Sequence, residues 1–290
     1  MSSLVTHTPP FETIAIAGLG LIGGSIALGV RERWSACRIL GIDRPAVQGH
    51  ALSSGAIDRA LPAIADASEA DLIILAAPVA QNLRLLDEAA ASARAGAIIT
   101  DVGGTKRDIV AFARRLPQSR AFVGGHPIGG AERGGFGFAR PNLFAGRPWI
   151  FTPEDGTDPA VLERLYAFAR GLGAVPTSLD AERHDRFMTY VSHLPQLAAT
   201  ALMEVAGSGA QSEGMKLAGR GLLDTTRLAS SPASVWRDIC AANADLIADA
   251  LDELIGRLTA LRNAVSDGDT VEAMFADAAH WRAELLKHQQ

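Results

Sequence analysis

The sequence predicts an α/β domain built on a parallel sheet, followed by an all-α domain. Short apolar runs recur between helix-length amphipathic stretches as far as residue 178. The first of those runs turns on three spaced glycines, and an aspartate follows about twenty residues later. From residue 180 onward the strand pattern disappears, and Ala, Leu, Glu and Arg recur in helical periods. An apolar share of 48% in 290 residues suffices for two cores, so disorder is not expected.

The first run, IAIAGLGLIGGS over 14–25, reads as a strand delivered to a tight turn at Gly18. A side chain at Gly20 would block close backbone approach to a pyrophosphate, and Gly23 lets a helix over 21–33 pack back on the strand. That helix, opened by Leu21 and Ile22, presents free N–H groups and a partial positive charge to phosphates. A second strand over 38–42 ends at Asp43, whose carboxylate can accept both hydroxyls of an adenosine ribose. This favours NAD. Arg44 keeps NADP open, because a guanidinium there can hold a 2′-phosphate.

The alternation continues with a helix over 46–54, a strand over 72–76, a helix over 79–94, a strand over 97–100 and a helix over 106–116. Further strands are expected over 121–124, 148–152 and 174–178, with a helix over 159–171 before the last. A boundary near 179 divides a dinucleotide-binding domain, 1–179, from a helical domain, 180–290; the alternative is one continuous domain whose last helices pad the sheet. In the helical half, Ile247, Leu251, Leu254, Leu258, Leu261 and Val265 recur at spacings of four and three. That apolar seam fits an intramolecular bundle core or a two-fold dimer interface.

Composition excludes several partner classes. A formal charge of -5 offers no basic field to a polyanion, so nucleic acid is not an expected partner. Cys37 and Cys240 stand far apart and in no metal-binding or disulfide pattern, which suits a reducing compartment. The N-terminus lacks the basic start and apolar core of a signal peptide, and no apolar run approaches the ~20 residues of a membrane span. A cytoplasmic protein is expected, with no metal and no membrane partner.

Ligands in open α/β sheets sit outside the carboxyl ends of the strands, so the residues just after each strand are the first candidates for chemistry. Ala77 and Pro78 follow the third strand and can wall the cofactor. After the fourth comes TDVGGTK, in which Asp101, Thr105 and Lys106 surround two glycines. Asp101 reads either as a cofactor contact or as a helix N-cap. After the fifth comes GGHPIGG, with His126 on a glycine-framed loop, able to take a proton at neutral pH or merely to hydrogen-bond that loop. Glu132 and Arg133 follow and can tune its basicity or meet a charged substrate. In the helical half, His193 precedes a helix-kinking Pro195 and reads as functional or as a buried structural histidine. Arg227, in an apolar setting, needs an anion: either Asp224 within the chain or a substrate carboxylate.

Taken together, GLGLIGGS, TDVGGTK, GGHPIGGAE, SHLPQ and the DTTRLASS segment with Trp236 beyond it resemble the prephenate/arogenate dehydrogenases of tyrosine biosynthesis. The resemblance spans residues 18–243. It implies a Rossmann-type domain, a helical dimerisation domain making a homodimer, and a cleft in which prephenate or arogenate is oxidatively decarboxylated with hydride transfer to NAD or NADP. By the same resemblance His126 is the catalytic histidine and must be neutral, His193 is a second active-site histidine, and Arg227 binds a substrate carboxylate. Thr105, adjacent to Gly104, and Glu132, close after His126, are by position the further expected substrate contacts. Gly18, Gly20, Leu21, Ile22, Gly23, Asp43, Arg44, Ala77, Pro78 and Asp101 form the expected cofactor set. Trp236 reads as packing. Two positions depart from the family: Gly104 stands where many members have serine, and Gln196 where many have histidine. An aminodeoxyprephenate dehydrogenase would use the same fold on an amino-substituted ring. A hydroxyacid enzyme with Lys216 as its lysine lacks that family's motif, and a non-catalytic NAD-sensing dimer is the reading from another class.

Overall fold

A computed structural model describes residues 8–117, 121–130 and 133–287. Eight strands form one sheet among the described residues: β1 (Thr13–Ala17), β2 (Arg38–Ile42), β3 (Arg59–Ala60), β4 (Leu72–Leu75), β5 (Ile98–Asp101), β6 (Ala121–Pro127), β7 (Pro148–Thr152) and β8 (Val175–Ser178). Their order is β3-β2-β1-β4-β5-β6-β7-β8. The chain leaves β1 toward β2 and returns on the other side as β4, so the strand order reverses at β1 and a crevice opens there at the carboxyl ends.

Side chains alternate across each strand, and helices cover both faces. Ile14 and Ile16 join the core that includes Ile26, Val30, Leu165 and Phe168, from helices α1 (Leu21–Arg33) and α5 (Pro159–Gly171). Ala15 and Ala17 join Leu86, Ala89, Ile109 and Val110, from α3 (Val79–Ser92) and α4 (Arg107–Ala113). Each fully buried Ile or Leu contributes about 1.5–3 kcal/mol. Helix α2 (Pro45–Ser53) follows β2.

Two features differ from the expected all-parallel sheet. Strand β7 runs antiparallel to β6, and β8 is parallel to β7. The described part of the β6–β7 connection holds only a 3₁₀ turn, Phe136–Phe138, and without a crossover helix the chain comes back antiparallel; α5 then supplies the crossover to β8. Strand β6 also runs on through Pro127, so His126 belongs to a strand and not to a loop. The first half of β6 pairs with β5 and the second, from Gly124 onward, with β7, placing His126 opposite Ile150.

Helices α6 (Ala181–Met188), α7 (Leu194–Met215), α8 (Arg220–Thr226) and α9 (Ala233–Ala242) follow, with a π-turn over Thr189–His193 and a 3₁₀ turn over Arg227–Ser230. The chain separates into compact units 1–244 and 245–290, so these helices belong with the sheet even though the strand signal ends at Ser178. The second unit is a pair of helices, α10 (Ala244–Asn263) and α11 (Gly268–Lys287). Of the expected seam, Ile247 is buried, whereas Leu258 and Val265 are 55% and 72% exposed. No helix among the described residues is long and apolar enough to cross a membrane.

Candidate active site

The β1–α1 turn is shaped by what its backbone meets. Gly18 has φ +100°, and a Cβ there would lie 2.5 Å from the Ala76 carbonyl carbon, so this turn presses against the end of β4. At Gly23 a Cβ would fall 1.9 Å from the Gly18 carbonyl oxygen and 3.1 Å from Ala76 Cβ, so the crowding lies first within the turn and then against the end of β4. Gly20 is different: nothing stands within 4 Å of its Cβ position, and as N-cap of α1 it supplies no side chain to the free N–H groups behind it. Leu21 and Ile22, half-buried, open that helix. An open space in front of uncapped helix N–H groups fits a dinucleotide pyrophosphate.

Asp43 accepts from the backbone N–H of Leu19 at 2.7 Å and of Arg44 at 2.6 Å, which ties the end of β2 to the glycine turn. The Arg44 side chain is exposed. Across the crevice Pro78 is the N-cap of α3, and the Ala77 N–H donates to Asn82 Oδ1 at 3.2 Å. Asp101 departs from its expected role. Its fully buried carboxylate pairs with the equally buried Lys106 and accepts from Gly103 N–H at 2.7 Å and Gly125 N–H at 3.1 Å. It is neither an open cofactor contact nor an N-cap, since Lys106 occupies the N-cap position of α4.

His126 lies beyond the point where β6 parts from β5. Gly125 permits this passage, because a Cβ there would be 2.6 Å from the Asp101 carbonyl oxygen. His126 Nδ1 is 2.9 Å from His184 Nε2, and His184 Nδ1 is 2.7 Å from Asp185 Oδ1. Asp185 also accepts the backbone N–H groups of Lys106 at 2.7 Å and Arg107 at 2.9 Å, locking α6 onto the start of α4. Burial pushes the Asp185 carboxyl up, but hydrogen bonds from His184 and from the Arg107 and Lys106 backbone hold it below its ordinary value. His126 is held well below the ordinary histidine value, first by burial and then by the basic neighbours His184, Lys106 and His193, so it is neutral. Its Nε2 lies beside Gly104, where a Cβ would sit 3.9 Å away and 3.7 Å from Ile239 Cδ1.

The second histidine joins the same cluster. Asn243 Oδ1 accepts from the Arg107 guanidinium at 2.8 Å, which turns its amide nitrogen toward Thr189 Oγ1 at 2.8 Å, the Asp185 carbonyl at 3.2 Å and His193 Nδ1 at 3.3 Å. Burial lowers the His193 pKa to about 4, leaving it neutral as well. Its ring packs edge-on to Trp236, with centroids 6.0 Å apart. One turn on, Gln196 donates to the Leu228 carbonyl at 2.7 Å and accepts from Ser231 at 3.0 Å, seating the 3₁₀ turn that begins with Arg227.

Arg227 is exposed, and Asp224 does not pair with it among the described residues. Among the described residues no hydrogen bond or ion pair joins it to the histidine cluster; Gln196 holds the same 3₁₀ turn at the Leu228 carbonyl. Thr105 is buried, and its Oγ1 is without a hydrogen-bond partner. Glu132 lies outside the described residues. The sequence reading missed His184 and Asp185 entirely, although an adjacent His-Asp pair at the start of an amphipathic helix was the available signal. A cavity of about 550 Å³, lined by Val110, Phe122, Thr152 and Glu154, lies at the other end of β6 and includes none of the expected site residues.

Comparison with known proteins agrees with this architecture. Residues 26–177 match the family model described as the nucleotide-binding domain of prephenate dehydrogenase, and residues 180–276 match that of its dimerization domain. The prephenate dehydrogenase of Bacillus subtilis is 37% identical, over 96% of this chain and 77% of its own length. A cyclohexadienyl dehydrogenase of Zymomonas mobilis is 29% identical over 95% of this chain and 96% of its own. The solved prephenate dehydrogenase of A. aeolicus, in complex with hydroxyphenyl propionate and NAD+, superposes with a TM-score of 0.86 at 29% identity, covering 94% of this chain and 98% of that one. The Synechocystis arogenate dehydrogenase gives 0.80 at 26% identity, over 94% and 99%.

Proposed function

The chain belongs to the prephenate dehydrogenase family, and we propose that it catalyses the NAD-dependent oxidative decarboxylation of prephenate, arogenate or both, in tyrosine biosynthesis. The observation that supports this most directly is a neutral, half-buried His126 near the end of β6, whose Nε2 lies beside Gly104 in the loop that follows β5. Bound NAD supplies the acceptor for the hydride leaving the hydroxyl-bearing ring carbon, while loss of carbon dioxide aromatises the ring. Gly20, Leu21 and Ile22 hold the pyrophosphate at the N-terminus of α1, Asp43 meets the ribose, and Ala77 and Pro78 wall the opposite side.

His126 accepts the proton of the ring hydroxyl at Nε2, so that a carbonyl can form as the hydride departs. His193 places the ring, and Thr105 offers the substrate its unpartnered hydroxyl. Arg227, lacking an anion among the described residues, binds a substrate carboxylate. The division at 179 separates cofactor-holding from substrate-holding segments, and the helical part joins two copies into a homodimer.

The test is a side-by-side measurement of NADH and NADPH formation with prephenate and with arogenate. Turnover of at least one substrate, faster with NAD than with NADP, is expected. No turnover of either would overturn the reading in favour of an NAD-binding sensor.

A further inference from the structure

We infer that His184, Asp185 and Asn243 are positioning residues that fix opposite tautomers on the two active-site histidines, leaving His126 a bare Nε2 and His193 a bare Nδ1. The inference rests on the reading of His126 as the base and adds the groups that make it one. It follows from donor and acceptor capacity along two hydrogen-bonded paths that meet at Asp185.

On the first path, the ionised Asp185 carboxylate can only accept, so the hydrogen between Oδ1 and His184 Nδ1, 2.7 Å apart, belongs to His184. A singly protonated His184 with its hydrogen on Nδ1 has its lone pair at Nε2. The 2.9 Å contact with His126 Nδ1 therefore places the hydrogen on His126 Nδ1, and the lone pair of neutral His126 falls on Nε2, beside Gly104. On the second path, the Arg107 guanidinium can only donate, so Asn243 presents its oxygen to Arg107, one amide hydrogen to Thr189 Oγ1 and the other to the Asp185 carbonyl and His193 Nδ1, which share it; an amide nitrogen cannot accept. His193 Nδ1 is then an acceptor, and its proton sits on Nε2. The cluster thus presents one imidazole as proton acceptor and the other as donor, as extracting a hydroxyl proton while orienting the same ring requires.

The carboxylates near this path have other partners besides the histidines. Asp185 on α6 already faces Arg107 Nε at 3.5 Å and two backbone N–H groups; Asp101 on β5 is consumed by Lys106 on α4; and Glu182 lies out in solvent near Arg107. His126 on β6 and His193 on the π-turn are neutral. A charged His184 would donate to His126 Nδ1 and move the His126 proton to Nε2, abolishing the base. Removing the orienting acceptor behind a catalytic histidine costs up to about 10⁴ in turnover where the wrong tautomer results.

The decisive measurement is side-chain ¹⁵N NMR of the histidines in the full-length protein near neutral pH, with His126 and His193 assigned from the His126→Asn and His193→Asn spectra. The expected pattern is a protonated Nδ1 with a bare Nε2 for His126, and the reverse for His193. The reverse tautomer at His126, or the same tautomer on both rings, overturns the inference. Kinetics supply the second arm. His184→Leu removes the acceptor and should lower kcat by about 10²-fold or more, with the substrate KM and NAD affinity within a few-fold. His184→Gln, whose amide oxygen can accept from His126 Nδ1, should recover most of that loss. An unchanged kcat in His184→Leu overturns the inference, and so does equal loss in both variants when both bind NAD normally. If His126→Asn keeps full turnover, the assignment of the base itself fails, an outcome separable from failure of the chain behind it.

Discussion

At the level of single residues, the protein separates positions that need a missing side chain from those that merely lack one. Gly104 has ordinary φ and room for a Cβ, its nearest neighbours standing at 3.7 to 3.9 Å. Gly104→Ala should therefore be stabilising by about 0.4–1 kcal/mol through loss of unfolded-chain entropy, and a urea midpoint below wild type would contradict this. Comparing Gly104→Ser with Gly104→Ala in kcat then isolates what a hydroxyl beside His126 contributes. His126 itself must be neutral, and its pKa lies well below the ordinary 6.5. Turnover should stay level through neutral pH and fall only on an acid limb below that value, while His126→Asn should lower kcat by roughly 10²–10⁴ with NAD affinity intact. An acid limb above the ordinary value would remove His126 as its source. These roles were partly legible in the sequence: a histidine just past the expected end of a strand, at 124, advertises itself by position even though the strand continues through it. Asp101 was misread because the same position rule applies to it, and only packing reveals that its carboxylate is spent on Lys106 and two backbone N–H groups.

Elements were legible wherever local pattern sets them. The helices α1, α3 and α5 and the strands β1 and β2 follow from apolar periodicity, glycines and proline starts, and the observed bounds fall close to the expected ones. What local pattern could not convey is direction and extent. Antiparallel β7 differs from a parallel strand only in how the chain returns to it, and β6 continues to Pro127 because β7 is there to pair with its second half. The same dependence explains the missed His-Asp pair, which in sequence resembles any polar stretch at a helix start and gains meaning only when α6 reaches β6 and α4. The switch of β6 from one neighbour to the other is also a place where the backbone leaves no room for a side chain. Gly125→Ala puts a methyl group 2.6 Å from the Asp101 carbonyl oxygen, so strand and loop must separate. A destabilisation of about 1–3 kcal/mol is expected, with loss of turnover exceeding what stability alone explains. A variant with wild-type midpoint and kcat would show that the strand passes there with more room.

For the whole molecule, the neutral histidines link folding to pH. The unfolded chain protonates its histidines near 6.5, whereas folded His193 does so only near 4, and His126 shifts in the same direction. Their contribution is complete above 6.5 and is lost as pH falls from there toward 4, so the denaturation midpoint should drop between about pH 7.5 and about pH 5, less so in His193→Asn. Assembly is the remaining property of the molecule as a whole. Within the pair α10 and α11, Leu258, Val265, Phe275 and Trp281 are 55%, 72%, 69% and 71% exposed, whereas in soluble proteins large apolar side chains grouped on one surface mark an association site. The periodic spacing of Ile247, Leu251, Leu254, Leu258, Leu261 and Val265 fitted a bundle core or a dimer interface equally well in the sequence. Exposure of Leu258 and Val265 favours the interface, as does the match of residues 180–276 to a dimerization domain. Sedimentation velocity should accordingly give a dimer for the wild-type chain, and Leu258→Glu combined with Val265→Glu should shift it toward monomer, since each carboxylate must otherwise be desolvated against a partner. A wild-type monomer, or a double variant that remains as dimeric as its parent, would return the seam to an intramolecular role.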